Sequence, residues 1–167
     1  MVTRDAQIEI LRLLEENERG MSEFYHECAE RFVNHTAVWR QLATEEDTHA
    51  LMVEVIRSLV EEGGIDLGHR LSWDAVGTLA RHVRDQLDAV KARVPSMEYA
   101  VVFADSVEHL SAESGAFHVH EGDPPELANL LHHLAEDSLR HARSIEELAA
   151  AHGGAMWDAA KDEAGKE

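Results

Sequence analysis

Five residues of this chain pair metal-binding or acid–base chemistry with an informative spacing: Glu18, Glu46, His49, Glu108 and His141. Glu46 and His49 stand three apart, which on a helix sets a carboxylate and an imidazole side by side on one face. The segment LATEEDTH at 42–49 recurs as LAEDSLRH at 134–141, with the closing histidine kept as His141 and Ser138 standing where Glu46 does. A lone Glu-x-x-His arises by chance on many acidic helices. A second copy in the same chain with its histidine retained is what two related halves would show.

The elements that must position these residues follow from the apolar pattern around them. Each lies midway along a stripe with alternating three- and four-residue spacing, the seam of a helical bundle. The first seam reads Leu11, Leu14, Glu18, Met21, Tyr25, Cys28, Phe32, and the second Trp39, Leu42, Glu46, His49, Val53, Ile56, Val60. The third reads Val101, Ala104, Glu108, Ser111, Gly115, His118, and the fourth Leu127, Leu131, Leu134, Ser138, His141, Ile145, Leu148. Breaks at Gly63-Gly64 with Gly68, at Pro95, at Gly122 to Pro125 and at Gly153-Gly154 divide the chain into helices over 4–33, 36–62, 73–93, 96–120 and 125–152. Three prolines, 5% aromatic residues and no alternating Val/Ile/Thr runs argue against a sheet. The expectation is an all-α fold, a four-helix bundle of two helical hairpins with a long helical crossover between them. It occupies residues 1–152 and is followed by a polar tail, 153–167, containing Trp157.

Composition narrows the function classes. With 167 residues the chain suits one domain, and 44% hydrophobic residues mark it as folded despite a net charge of −18. That charge repels phosphate backbones and anionic lipid, so neither a nucleic-acid nor a membrane-surface role is expected. No stretch is apolar enough to span a bilayer, and the amphipathic start lacks a signal-peptide core. One cysteine, Cys28, excludes an internal disulfide and a four-cysteine metal site, and a cytoplasmic, reducing setting is expected.

Carboxylates in a bundle core are costly to bury unpaired, and a bound cation would account for several of them converging at one depth. Glu from two helices with Glu-x-x-His from the other two is the ligand set of carboxylate-bridged di-iron or di-manganese bundles. Over roughly residues 4–150 the chain resembles the ferritin-like superfamily, and within it the rubrerythrin-like proteins. ERGMSEFY places Glu18 seven before Tyr25 as in that family's first helix, and LATEEDTH supplies the Leu-Ala-x-x-Glu-x-x-His of its second. The resemblance implies Glu18, Glu46, His49, Glu108 and His141 as metal ligands. It departs from the family at Ser138, where a second bridging carboxylate belongs. On the third helix Ala104 and Glu108 fit the family's Ala-x-x-x-Glu, whereas setting Phe117-His118 against Phe24-Tyr25 puts Ser111 opposite Glu18 and Glu108 opposite Glu15.

The implied cofactor is iron, as a di-iron pair or a single ion, with zinc or manganese as alternatives. The implied function is a non-haem iron oxidoreductase that reduces peroxide or oxidises ferrous ion with a partly eroded site. Its partners would be peroxide, dioxygen or ferrous ion and an external electron donor, because the chain carries no rubredoxin cysteines. A non-catalytic single-metal or metal-free bundle, acting in storage, sensing or partner binding, stays open beside it. A homodimer is expected through an outer apolar face to which Trp39, Trp73 and Phe103 contribute. Tyr25 and Cys28 read as core residues, and Glu15, Glu16, Glu45 and Asp47 as solvated faces. Glu136 and Asp137, turned about 100° per residue off the seam, read as weak substitutes for the carboxylate missing at 138. His109, His118, His120, His132 and His133 read as solvated or helix-end residues with a weak surface affinity for divalent metal, His118 with the further option of an added ligand.

Overall fold

The computed structural model describes residues 2–68, 70, 72–92, 95–113 and 117–164, with the side chains of 111–113 and 153–164 outside the description. Among the described residues the fold comprises five helices, α1 (Arg4–Arg31), α2 (Thr36–Glu61), α3 (Trp73–Ala92), α4 (Met97–Glu113) and α5 (Pro125–Ala164), with a 3₁₀ turn at Val33–His35. No strand occurs among the described residues, and no helix among them is long and apolar enough to cross a membrane.

Local chemistry sets the helix ends. Thr3 caps α1 by accepting the Ala6 N–H, and Ser72 and Ser96 do the same for α3 and α4 through the N–H groups of Ala75 and Tyr99. Pro125 opens α5, where its missing N–H is no loss. At the end of α2, Gly63 takes a positive φ of 77°, and the Gly64 N–H reaches back to the Leu59 carbonyl. This is a Schellman-type stop that favours glycine.

Two apolar clusters stack along the bundle with a polar layer between them. One holds Ile10, Leu11 and Leu14 of α1, Val53 to Val60 of α2, and Leu127, Leu131 and Leu134 of α5. The other holds Met21 to Ala29 of α1, Trp39 to Ala43 of α2, Met97 to Val107 of α4, and Ile145 to Ala149 of α5. Between them, Glu18, Glu46, His49, Glu108, Ser138 and His141 are all buried. The order in which each helix meets the clusters makes α1 antiparallel to α2 and α4 antiparallel to α5. Helix α3 runs alongside α1 and carries the chain back to the end where α4 starts. Their approach is close at Gly20, where an added Cβ would lie 2.8 Å from Val83 Cγ1.

Three expectations are corrected. Helix α4 is described only to Glu113, and His118 is exposed and lies outside any helix rather than on a seam. Beyond it the Asp123 carboxylate accepts the His120 N–H and Gly122 has φ 97°, a turn that competes with continued helix. Ser111 and Gly115, expected on the same seam, lie outside the described side chains. Second, α5 continues through Gly153-Gly154 to Ala164, so most of the expected tail is helical. A glycine weakens a helix by about 1 kcal/mol but keeps its N–H and so does not force a stop. Third, Trp39 is fully buried and Phe103 nearly so, packed against Tyr25 and Phe24 respectively, which leaves only Trp73 of the expected outer apolar face exposed.

Candidate metal centre

All five residues singled out by spacing meet in the polar layer, one from α1, two from α2, one from α4 and one from α5. Glu46 sits between the two imidazoles. Its Oε2 is 3.1 Å from His49 Nδ1 and its Oε1 is 2.8 Å from His141 Nδ1. The two rings stack with centroids 5.2 Å apart and planes 24° from parallel. Glu18 Oε2 approaches His49 Nδ1 at 3.9 Å, and Glu108 Oε1 approaches His141 Nδ1 at 3.4 Å. The cluster is therefore two half-sites, Glu18 with His49 and Glu108 with His141, sharing Glu46. Glu108 faces the layer as Glu18 does, which matches the register that pairs these two glutamates.

Two residues that the seams do not contain complete the arrangement. Asp137 Oδ2 on α5 lies 3.2 Å from His49 Nε2 on α2, and Glu45 Oε2 on α2 lies 2.8 Å from His141 Nε2 on α5. Each imidazole thus turns Nδ1 to the buried carboxylates and is braced at Nε2 by an acidic residue of the other hairpin. Arg140 joins the two braces, with Nη2 3.0 Å from Glu45 Oε2 and Nη1 on Asp137 Oδ1. Glu45 is thus no solvated-face residue, and Asp137 does not fill the place of the missing bridge. The signal was in the repeat, because Glu45 and Asp137 occupy the same place in LATEEDTH and LAEDSLRH. Tyr25 also belongs here, its hydroxyl donating to Glu108 Oε1 at 2.6 Å. At Ser138 the hydroxyl donates to the Leu134 carbonyl of its own helix at 3.0 Å, so no carboxylate enters the layer from that position.

The electrostatics follow from three carboxylates buried at one depth. Burial pushes Glu18 well above the usual carboxylate range, and the charge of Glu46 adds to the push. Glu108 is raised likewise by burial and then by Glu46, against the pull of His141 and the Tyr25 hydroxyl. Burial would raise Glu46 too, but contact with the two imidazoles outweighs it and holds this carboxyl below its usual range. Burial works to lower both histidines, yet His49 is raised by Glu46, and His141 is lifted to about 11 by Glu108 and Glu46. With protons alone, Glu46 is the carboxylate the layer favours as an anion, its charge shared with the two imidazoles, while burial works against charge on Glu18 and Glu108.

The same side chains suit a cation. Glu46, His49 and His141 present one ligand atom each within 4.8 Å of one another. Although Glu46 Oε1 lies 2.8 Å from His141 Nδ1, the angle does not make a hydrogen bond, and this buried nitrogen has none. An imidazole fixed by a carboxylate at one nitrogen, with the other aimed at converging glutamates, is the usual outer support of a metal-ligating histidine. Mixed carboxylate and imidazole donors suit iron, manganese and zinc. No protein-family model, curated protein or solved structure matches this chain. The functional reading rests on the residues themselves.

Proposed function

We propose that this chain is a ferritin-like, rubrerythrin-like metal-binding bundle that holds iron and acts as a non-haem oxidoreductase, reducing peroxide or oxidising ferrous ion. The observation that carries the reading is Glu46 between two stacked imidazoles, each braced from behind by a carboxylate of the opposite hairpin. Two helical hairpins, a crossover helix and a polar layer midway along the core support the ferritin-like assignment. Glu18, Glu46, His49, Glu108 and His141 would hold the metal, with Glu46 shared between the Glu18–His49 and Glu108–His141 half-sites.

Bound iron would supply the redox change, cycling between ferrous and ferric charge. The protein's own part is to offset that charge and to keep water out. Three carboxylates compensate a cation in a layer closed above and below by apolar clusters. Tyr25 holds Glu108 in place through its hydroxyl, itself pushed well above the usual phenol value by burial and by Glu108. Electrons would come from an external donor. Cys28 is buried with its thiol raised to about 12, which makes it inert rather than a redox partner.

A second reading, a non-catalytic single-metal protein, is favoured by one observation: Ser138 turns its hydroxyl into its own helix and leaves the pair of half-sites one bridge instead of two. Elemental analysis of the full chain from iron-supplemented medium, with visible spectra before and after peroxide, separates the readings. Iron with a peroxide-sensitive band is the expected result. One ion and no spectral response assigns the chain to the single-metal class, and no bound metal overturns both.

A further inference from the structure

The two hairpins carry matching trios of side chains beside the buried layer. When Glu18 is set against Glu108 and His49 against His141, as the layer itself pairs them, Glu15, Arg19 and Glu54 of the first hairpin fall opposite Asp105, His109 and Glu146 of the second. In the first hairpin this place holds a resident cation. Arg19 Nη2 lies 2.9 Å from Glu15 Oε1 and 3.7 Å from Glu54 Oε2. In the second hairpin the two carboxylates recur, one on α4 and one on α5, but a histidine stands where the arginine does.

That exchange changes what the place can bind. A guanidinium offers no lone pair, whereas an imidazole ring carries a nitrogen that can serve as a ligand. Asp105, His109 and Glu146 each present one ligand atom, and the three lie within 4.8 Å of one another. His109 Nδ1 sits 2.9 Å from the Asp105 backbone carbonyl, a contact that fixes the ring. Asp105 is buried, His109 partly so, and Glu146 exposed, so the trio opens to solvent, unlike the closed layer beside it.

We propose that Asp105, His109 and Glu146 form a second metal site, one that takes a divalent first-row transition ion and is independent of the buried cluster. Three protein ligands of this kind leave the remaining positions to water.

The test is His109→Arg in the full chain, which restores the first hairpin's arrangement and so preserves the fold, checked by circular dichroism. Equilibrium dialysis against zinc followed by elemental analysis should find one zinc ion fewer per chain in His109→Arg than in the parent. Glu146→Gln, at an exposed position, should weaken that same ion by at least about tenfold. Other surface histidines bind equally in all three proteins and cancel. The comparison reads a difference of one ion whether or not the buried cluster holds metal. Equal zinc counts in the parent and His109→Arg overturn the proposal and leave His109 as a simple ion-pair partner of Asp105.

Discussion

The first hairpin, α1 with α2, brings three ligand-type side chains to the buried layer, Glu18, Glu46 and His49, while the second, α4 with α5, brings Glu108 and His141 with Ser138 in the third place. The braces behind the histidines are shared more evenly, since Glu45 serves His141 and Asp137 serves His49. The second hairpin thus holds an imidazole oriented as in the first but brings one carboxylate fewer to the layer. Burial and then the charge of Glu46 already raise Glu18 well above the usual carboxylate range and raise Glu108 in the same direction. A fourth at position 138 would add to that repulsion unless a second cation came with it. Ser138 is consistent with a layer balanced for fewer positive charges than a full di-iron pair carries.

The largest effect is expected where the two half-sites meet. Glu46→Ala removes the one carboxylate that both imidazoles contact, so metal affinity should fall by more than about 100-fold, beyond what loss of an outer support costs. The metal-free protein should also lose about 3–5 kcal/mol, because the two buried imidazoles, both raised by Glu46, lose their shared counter-charge. Metal content and urea denaturation measure the two effects. Unchanged metal content in this variant would remove Glu46 from the ligand set and with it the idea of half-sites joined by one bridge.

Ser138→Glu tests the asymmetry from the other side. In the metal-free protein it should destabilise by on the order of 1–3 kcal/mol, as a further carboxyl is buried without a partner. In iron-supplemented medium it should raise the iron content by one ion per chain. Destabilisation without extra iron would show that the second hairpin cannot complete the pair even with its bridge restored.

The seams of both hairpins were legible because their periodicity reports the faces turned to the bundle axis. Every seam residue on α2 and α5 is buried, and so are those on α1 apart from the partly buried Phe32. All five ligand-type residues were found that way. What periodicity does not report is the flank of a helix, where Glu45 and Asp137 reach sideways across the α2–α5 interface to the opposite imidazole. Apolar character alone likewise does not tell an inner face from an outer one, so Phe103 read as surface and proved to be core, while Trp39, read both on the seam and on the outer face, belongs to the seam. Helix ends were misread where a local competitor decided them, the Asp123 turn after His118, and where glycine was taken as a stop although Gly153-Gly154 lies within α5.

The paired braces set the next prediction. Glu45→Gln and Asp137→Asn each remove one charged acceptor behind an imidazole, and each should weaken metal binding by about 10–100-fold, measured by competition with a chelator. Because each acts on the histidine of the other hairpin, the two losses should be similar. A loss confined to Asp137→Asn would mean that His49 alone carries the metal and that the second half-site has lapsed.

The smallest expected effect is the dependence on pH, which distinguishes a proton-balanced layer from a metal-balanced one. His141 is lifted to about 11 in the folded chain, above its unfolded value of 6.5. Its contribution to stability is therefore fully present below pH 6.5 and is lost as pH rises towards 11. His49 is raised as well and acts in the same direction. In that window the folded state holds more protons than the unfolded one, so metal-free stability should fall as pH rises. Metal binding runs the opposite way, because every ligand must release its proton first, and the affinity should rise over the same window. Thermal melts of the metal-free and metal-loaded chain from pH 6.5 to 8.5 should therefore diverge, the first curve falling while the gap to the second widens. Parallel curves would mean that metal does not displace the protons on His49 and His141, and would place any bound ion outside the layer that the two hairpins enclose.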